Sequence, residues 1–390
     1  MKFGYKLLIL AMAPMFSMSV LAQSGSQSNL NMQNLNQNQT GLLNSQSLDL
    51  ANAKSGGKAT VNVGNVNQSQ AGLLNRQKME VGNAKGGKTN VNVGNINQGQ
   101  AGLLNNQEMT VGNANQGGNA QVRVGNINQG QAGLLNNQKM KIGNADRGKS
   151  NVNVGTVMQG QAGLLQNQEM NLGSVSGTGK ANVNAGAVLQ GQAGLLNTQN
   201  MNVGGVSGSG SSNVNAGAIL QGQAGLLQRQ NMEIGNSSGS GKSNVAIGAA
   251  VQGQAGLLNN QDMQIGKASG SGKSNVIMGT AIQGQAGLLN NQTMKVGNAS
   301  GSGKSNVAVG AVIQGQAGML NNQQVNIGNA KAGTANVAVG AVVQGQAGML
   351  NSQKVNIGNA NSGSTAVSVG GIVQGGAGML NSQSVNIGNN

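Results

Sequence analysis

The side chains of this sequence that could do chemistry are carboxamides, and they recur at a fixed period. One glutamine row runs Gln37, Gln68, Gln98, Gln129, Gln159, Gln190, Gln221, Gln252, Gln283, Gln314, Gln344 and Gln374. A second runs Gln46, Gln77, Gln107, Gln138, Gln168, Gln199, Gln230, Gln261, Gln292, Gln323, Gln353 and Gln383. A third, represented by Gln100, recurs in 11 of 12 units and gives way to Gly376 in the last. An asparagine row runs Asn44, Asn75, Asn105, Asn136, Asn197, Asn259, Asn290, Asn321, Asn351 and Asn381, with Gln166 and Gln228 in the two remaining units. A primary amide donates and accepts at once. Where units stack at about the 4.7–4.9 Å spacing of neighbouring strands, each amide can donate to one copy and accept from the other. Buried alone such a group is costly; in a ladder it is satisfied. The chemistry on offer is self-recognition, not turnover.

The residue types needed for catalysis are missing. There is no His, Cys or Trp in 390 residues, which excludes imidazole or thiol catalysis, disulfides and zinc or iron–sulfur sites. The 7 acidic residues are scattered singly, so no paired-carboxylate site is expected. A Gly-Lys-Ser element at Gly241-Lys242-Ser243 superficially matches a phosphate loop. It recurs as a repeat corner with no helix behind it, so that reading is rejected. The methionine row represented by Met109 shades into Leu48 at one end and Val325, Val355 and Val385 at the other, which suits core packing and not a copper ligand set. Neither enzyme, cofactor nor metal is expected.

The elements that must position the amides come from a repeat. A segment GQAGLLN or a close variant places its glycine every 30 or 31 residues, 12 times, from Gly41 to Gly378. Such a period signals a stacked architecture. Ahead of it, Met1–Ala22 has a basic start at Lys2 and Lys6, a short apolar run, and Val20-Leu21-Ala22 before Gln23. It reads as a secretory signal peptide cut after Ala22, too short to be a spanning anchor. Gln23–Ser28 is a short linker, and Asn29–Asn390 is the repeat domain. Loss of Lys2 and Lys6 leaves 20 basic against 7 acidic residues, a net +13.

Within a unit the periodicity is two. Val91 and Val93 alternate with Asn90 and Asn92; Ile96, Gln98 and Gln100 follow; then Asn105, Gln107, Met109 and Val111. This pattern predicts strands. Parity changes near Gly94-Asn95 and again at Gly102–Leu104, each marking a bulge or corner. A Gly/Ser/Asn-rich loop carrying most lysines closes the unit. The expected fold is all-β: a single-chain β-solenoid of about 12 repeats, each two strands joined by tight turns, roughly 58 Å long at the rung spacing of a sheet. Aliphatic rows should form its dry interior. Lysines, which repel when stacked, are expected at irregular positions. The position of Asn97 and Asn128 turns apolar further on, at Met158, Leu189, Leu220, Val251, Ile282 and Ile313, which suggests a carboxy-terminal half that orders first.

Neither end of the repeat carries a proline or a recognisable cap, which leaves strand edges able to receive another molecule. The spacing Gln100-x-Gly102-x-x-Asn105 resembles the repeat core of curli subunits; it holds in nine of 12 units and departs at Gln166, Gln228 and Gly376. The SNVNVG segment with its following amides is similar to the Fap family of biofilm amyloids. This resemblance to secreted bacterial functional amyloids covers nearly all of Asn29–Asn390. It implies a secreted, extracellular fibre on a Gram-negative-type bacterium, an end-to-end homopolymer contributing to biofilm matrix, adhesion and cell aggregation, with a nucleator and an outer-membrane export pore as partners. The alternatives are a monomeric solenoid serving as an adhesin stalk, and a polyanion-binding surface protein. The net +13 favours nonspecific contact with polysaccharide or extracellular DNA over a dedicated site, because stacking aromatics are absent.

Overall fold

The computed structural model describes residues 16–22, 25–41, 45–74, 76–104 and 106–388. Among them every regular element is a strand, and 25 strands join in one parallel sheet that winds as a β-solenoid of about eleven turns. Each repeat supplies one rung, made of a long strand and a short one. The third unit contributes Lys88–Gly102 and Asn106–Val111, the fourth Asn119–Ala132 and Leu135–Ile142. In Ser211–Ile234 and Lys242–Ile265 the strand runs through the corner unbroken.

The period of two sets which side chains go inside. In Lys88–Gly102 the buried residues are Thr89, Val91 and Val93, then Ile96, Gln98 and Gln100. The parity switches at Gly94-Asn95, where the rung-to-rung pairing skips Gly94 and resumes at Asn95 opposite Asn126. The short strand buries Gln107, Met109 and Val111. The two walls face each other. Beside the corner, Gln100 Nε2 donates to the Asn106 carbonyl at 3.2 Å; at the loop end, the Thr89 hydroxyl donates to the Gly82 carbonyl at 2.7 Å. Between these polar margins one aliphatic column runs from Leu35 to Ile357 and includes the whole methionine row from Met79 to Met294. Each such side chain contributes about 1.5–3 kcal/mol of burial.

Like meets like at every step. Val91, Val122, Val152 and Val183 pair in turn, as do Gln98, Gln129, Gln159 and Gln190. The loop turn after the short strand needs a left-handed residue: Gly112, Gly235 and Gly266 have φ of 64°, 65° and 66°. A Cβ on Gly235 would also lie 2.4 Å from Val276 Cγ2 of a later rung. In the first unit Ala51 takes this place at φ 55°.

Two expectations change, and one segment joins the stack. The positions that turn apolar along the chain point outward: Met158 and Leu220 are exposed and Val251, Ile282 and Ile313 half-buried, because parity sends the neighbours of buried Gln159, Gln221 and Gln252 to the other face. They add nothing to the core, and the idea of an earlier-ordering carboxy-terminal half loses its physical basis. The lysines are not irregular. Lys242, Lys273 and Lys304 are direct partners in successive rungs, as are Lys58 with Lys88 and Lys149 with Lys180. All seven are exposed at a strand start, where water screens the repulsion. Finally, Phe16–Ala22 of the expected signal segment forms a strand parallel to Ser45–Lys54, in the place of a preceding unit's short strand. Residues 1–15 of that segment lie outside the described residues.

Gly235→Ala should lower the denaturant midpoint of the full chain by the equivalent of about 1–2 kcal/mol for the left-handed backbone alone, with the Val276 contact adding to it. An unchanged midpoint would show that the turn is not held in this conformation.

Candidate functional site: amide ladders and terminal rungs

The first glutamine row is a continuous ladder. From Gln68 onto Gln37 up to Gln374 onto Gln344, every Nε2 donates to the Oε1 of the preceding rung at 2.7–2.9 Å. The second row does the same from Gln46 to Gln383 at 2.7–3.2 Å. The third runs from Gln39 to Gln346 at 2.7–3.1 Å. In this third row the amide's other hydrogen crosses the corner to a main-chain carbonyl, as from Gln70 to Arg76 and from Gln316 to Asn322, both at 3.2 Å. Gln98, Gln100 and Gln107 are 4%, 6% and 0% exposed, so these amides satisfy one another away from water.

All three ladders point the same way: donor on the later rung, acceptor on the earlier one. The last rung therefore turns the Oε1 atoms of Gln374 and Gln383 to its open side, where no described residue donates to them. The first rung turns Nε2 of Gln37 the other way. Gly376 interrupts the third ladder, and Gln346 Oε1 is left buried without a partner.

The asparagine row differs from a continuous ladder. Asn44, Asn75 and Asn105 lie outside the described residues. Asn136 and Asn197 donate to the carbonyls of Ala162 at 3.1 Å and Ala224 at 2.8 Å and do not pair along the row. Among the described residues of this row a ladder runs only from Asn259 through Asn290, Asn321 and Asn351 to Asn381, at 2.7–2.8 Å, and it donates forward, opposite to the glutamines. The break spans the units that carry Gln166 and Gln228. One methylene longer, their Nε2 atoms are spent on the Ala193 and Ala255 carbonyls, and the amide oxygens of Asn136, Gln166, Asn197, Gln228 and Asn259 have no partner.

The Gln-x-Gly-x-x-Asn spacing now has a mechanical meaning. The glutamine builds the ladder and ties the corner. The glycine lets the corner backbones meet: a Cβ on Gly163 would lie 1.7 Å from the Gly133 carbonyl oxygen. The asparagine satisfies the corner's carbonyls, as Asn259 does for Gly256 at 3.2 Å and Ala286 at 2.9 Å.

Outward ladders were missed by attending only to the buried rows. Asn36, Asn67, Asn97 and Asn128 are linked at 2.8 Å, and Asn182 through Asn336 at 2.7–3.0 Å. Their signal was the same period, on the opposite parity.

Charge enters at the margins. Lys139 pairs with Glu169 of the next rung at 2.8 Å. Partial burial pushes the Glu169 carboxyl up, but hydrogen bonds from Lys139 and Asn171 and the nearby lysine charges outweigh it, and its pKa is lowered overall. Asp49 goes the other way, raised by burial first and by the neighbouring Glu80 second.

The rung Ser364–Ala377 with Asn381–Ile387 has no strand beyond it among the described residues. Val385 and Ile387 are 43% and 64% exposed, whereas Val355 and Ile357 one rung earlier are 0% and 4%. No family model, curated protein or solved structure matches this chain.

Gln199→Leu, in mid-ladder, strands the Gln168 acceptor and one Gln230 hydrogen. It should destabilise the chain by about 1–3 kcal/mol per orphaned group, read as a lower unfolding midpoint and faster hydrogen exchange in the adjoining rungs; a neutral outcome would make the ladder incidental.

Proposed function

We propose that this chain is the structural subunit of an extracellular, amyloid-like fibre that grows by stacking one copy on the end of another, and that the fibre contributes to biofilm matrix, surface adhesion and cell aggregation. The observation that carries this reading is the repeated like-on-like register with one polarity for all three glutamine ladders. A first rung set against a last rung meets what internal rungs meet in the first two glutamine rows and the aliphatic column, while the third glutamine row meets Gly376. Gln46 Nε2 of one copy falls to Gln383 Oε1 of the next, and Gln37 to Gln374. Leu48 and Leu50 come over Val385 and Ile387, the correspondence given by the pairings of Ser45–Lys54 and Asn381–Ile387 with their neighbours. Each apolar contact is worth about 1.5–3 kcal/mol when fully buried.

The strand Phe16–Ala22 supports the same reading from the other end, because it shows the edge of Ser45–Lys54 receiving a parallel strand. A cut after Ala22 would free that edge for the last rung of a second copy. Release of a signal segment would thus coincide with competence to polymerise. The resemblance of the repeat core to curli supports secretion through an outer-membrane pore and initiation by a nucleator, both proposed here as partners. The exposed row of seven lysines along one strand start supports loose, sequence-independent contact with polysaccharide or extracellular DNA.

The mature chain, Gln23–Asn390, incubated alone should form fibres with a meridional reflection near the ~4.8 Å strand spacing. Ile387→Lys, at an exposed position, should leave the monomer folded and stop growth. A monodisperse wild-type chain at high concentration would return the protein to a solenoid stalk. Binding to DNA or an acidic polysaccharide should weaken steeply with salt, and replacing the seven lysines by serine should flatten that dependence. Salt-independent binding would overturn the polyanion contact.

A further inference from the structure

The glycine row on the outer face of the long strand has no use inside its own chain. Gly222, Gly253, Gly284, Gly315, Gly345 and Gly375 are partners in successive rungs. A Cβ on any of them would meet nothing within 4 Å, and none has a positive φ. Glycine in mid-strand costs about 0.5–1 kcal/mol against alanine. The row weakens every rung while serving neither turn nor packing. A strand glycine of this kind marks a place where another backbone or side chain comes close.

Its surroundings form a relief. Two residues before each glycine stands an outward aliphatic ridge that starts at Met158, passes Leu220 and Ile282, and ends at Val373; Leu220 is 37% and Val373 60% exposed. Two residues after each glycine comes an exposed alanine, such as Ala224, and then the exposed leucine pair of the corner, such as Leu226 and Leu227. No charged residue occurs between Thr156 and Leu165 or at the matching stretch of any later rung. In the first four rungs the ridge position is held instead by Asn36, Asn67, Asn97 and Asn128, already hydrogen-bonded to one another.

We propose that this ridge and furrow is a lateral docking face whose occupant is the same face of a second copy. Ridge and furrow lie side by side, roughly 7 Å apart at two residues' separation along a strand. A two-fold axis between them drops each ridge into the partner's furrow, the self-complementarity an isologous contact requires. The ridge repeats at the rung spacing over eight rungs, Met158 to Val373. A partner with that period engages all of them, and a partner without it engages few. Eight rungs by four outward residues span on the order of 1,000 Å², comparable to the ~800 Å² per partner of a stable interface. The end-to-end reading concerns the ends of the stack and this contact its side, so the two stand or fall separately.

Two variants of the full mature chain test it. Gly222→Val, Gly253→Val, Gly284→Val and Gly315→Val together fill the furrow with residues that strands favour, so the unfolding midpoint should hold or rise. Leu220→Lys, Val251→Lys and Ile282→Lys together place charge on the ridge. Wild-type filaments should carry two stacks side by side, and both variants should halve the mass per length measured by scanning transmission electron microscopy. Single-stack wild-type filaments, or variants that remain double, would overturn the proposal. Single-stack filaments that bind neutral lipid vesicles through this face, with binding lost in both variants, would assign the face to lipid and overturn self-pairing. If the chain forms no filaments, the end-to-end reading fails alone; sedimentation of the soluble chain then decides, a wild-type dimer reduced to monomer by both variants supporting the lateral contact and a wild-type monomer refuting it.

Discussion

A buried glutamine amide needs both a donor and an acceptor, and in this protein the only groups placed to provide them are, for the most part, other glutamines one rung away. That constraint governs the rest of the molecule. Three such rows run beside an aliphatic column in the same narrow interior. Sliding a strand by one residue would press amides against valines and orphan both faces of the row. Sliding by a whole rung would cost nothing locally, because the next rung offers the same groups. The ladders therefore fix where each residue sits around the cross-section while leaving position along the axis nearly degenerate. An internal step and a step between copies become the same physical event.

Polarity follows from the same bonds. The glutamine ladders donate toward the amino-terminal rung along their whole length, whereas the asparagine ladder from Asn259 to Asn381 donates the other way. In that ladder each Nδ2, as at Asn290, shares its two hydrogens among two corner carbonyls and the Oδ1 of the next rung. The carboxy-terminal half thus has antiparallel amide dipoles side by side, while from Asn136 to Gln228 the glutamine ladders run beside isolated corner amides. The interruption at Gly376 falls in the terminal rung itself, so the third ladder stops at Gln346 while the other two glutamine rows reach the open side.

Much of this fold is legible in the sequence because its rules are local. Alternation of Val91 and Val93 with Asn90 and Asn92 gives the strand, and the parity changes at Gly94-Asn95 and Gly102–Leu104 give the bends. The fixed spacing of Gln98 and Gln107 gives the ladders. Parity also held the outward placement of Asn97 and of Leu220, since both flank a buried glutamine. Treating their drift as a change in the core ignored that. What the sequence does not carry openly is side-chain reach. That Asn136, Gln166, Asn197 and Gln228 bond only to main-chain carbonyls, and that pairing along the row begins at Asn259, depends on carbonyl positions at the corner. The stacking of Lys242, Lys273 and Lys304 was countable from the period; the expectation of avoidance gave repulsion more weight than an exposed, screened position warrants.

The distribution of change among the repeats separates what the stack requires from what its surroundings use. Rows that must satisfy an amide hold their residue type through nearly every unit. Rows that only fill volume exchange Met for Val or Leu, as between Met294 and Val325, because burial is nearly indifferent to which aliphatic supplies it. Outward rows are free of both demands, so constancy there needs another cause. The leucine pair from Leu73-Leu74 to Met379-Leu380 stays apolar although every described member is about 40% exposed or more, or nearly so. The open row, Asn38 and Ser69 in the first two units, stays glycine from Gly99 to Gly375 although each copy weakens its own strand. Neither helps a rung sit on the next rung. Whatever holds them constant acts on the side of the stack, and a surface so flat, uncharged and regularly spaced at the pitch of a sheet is matched over its full length by another surface of the same pitch.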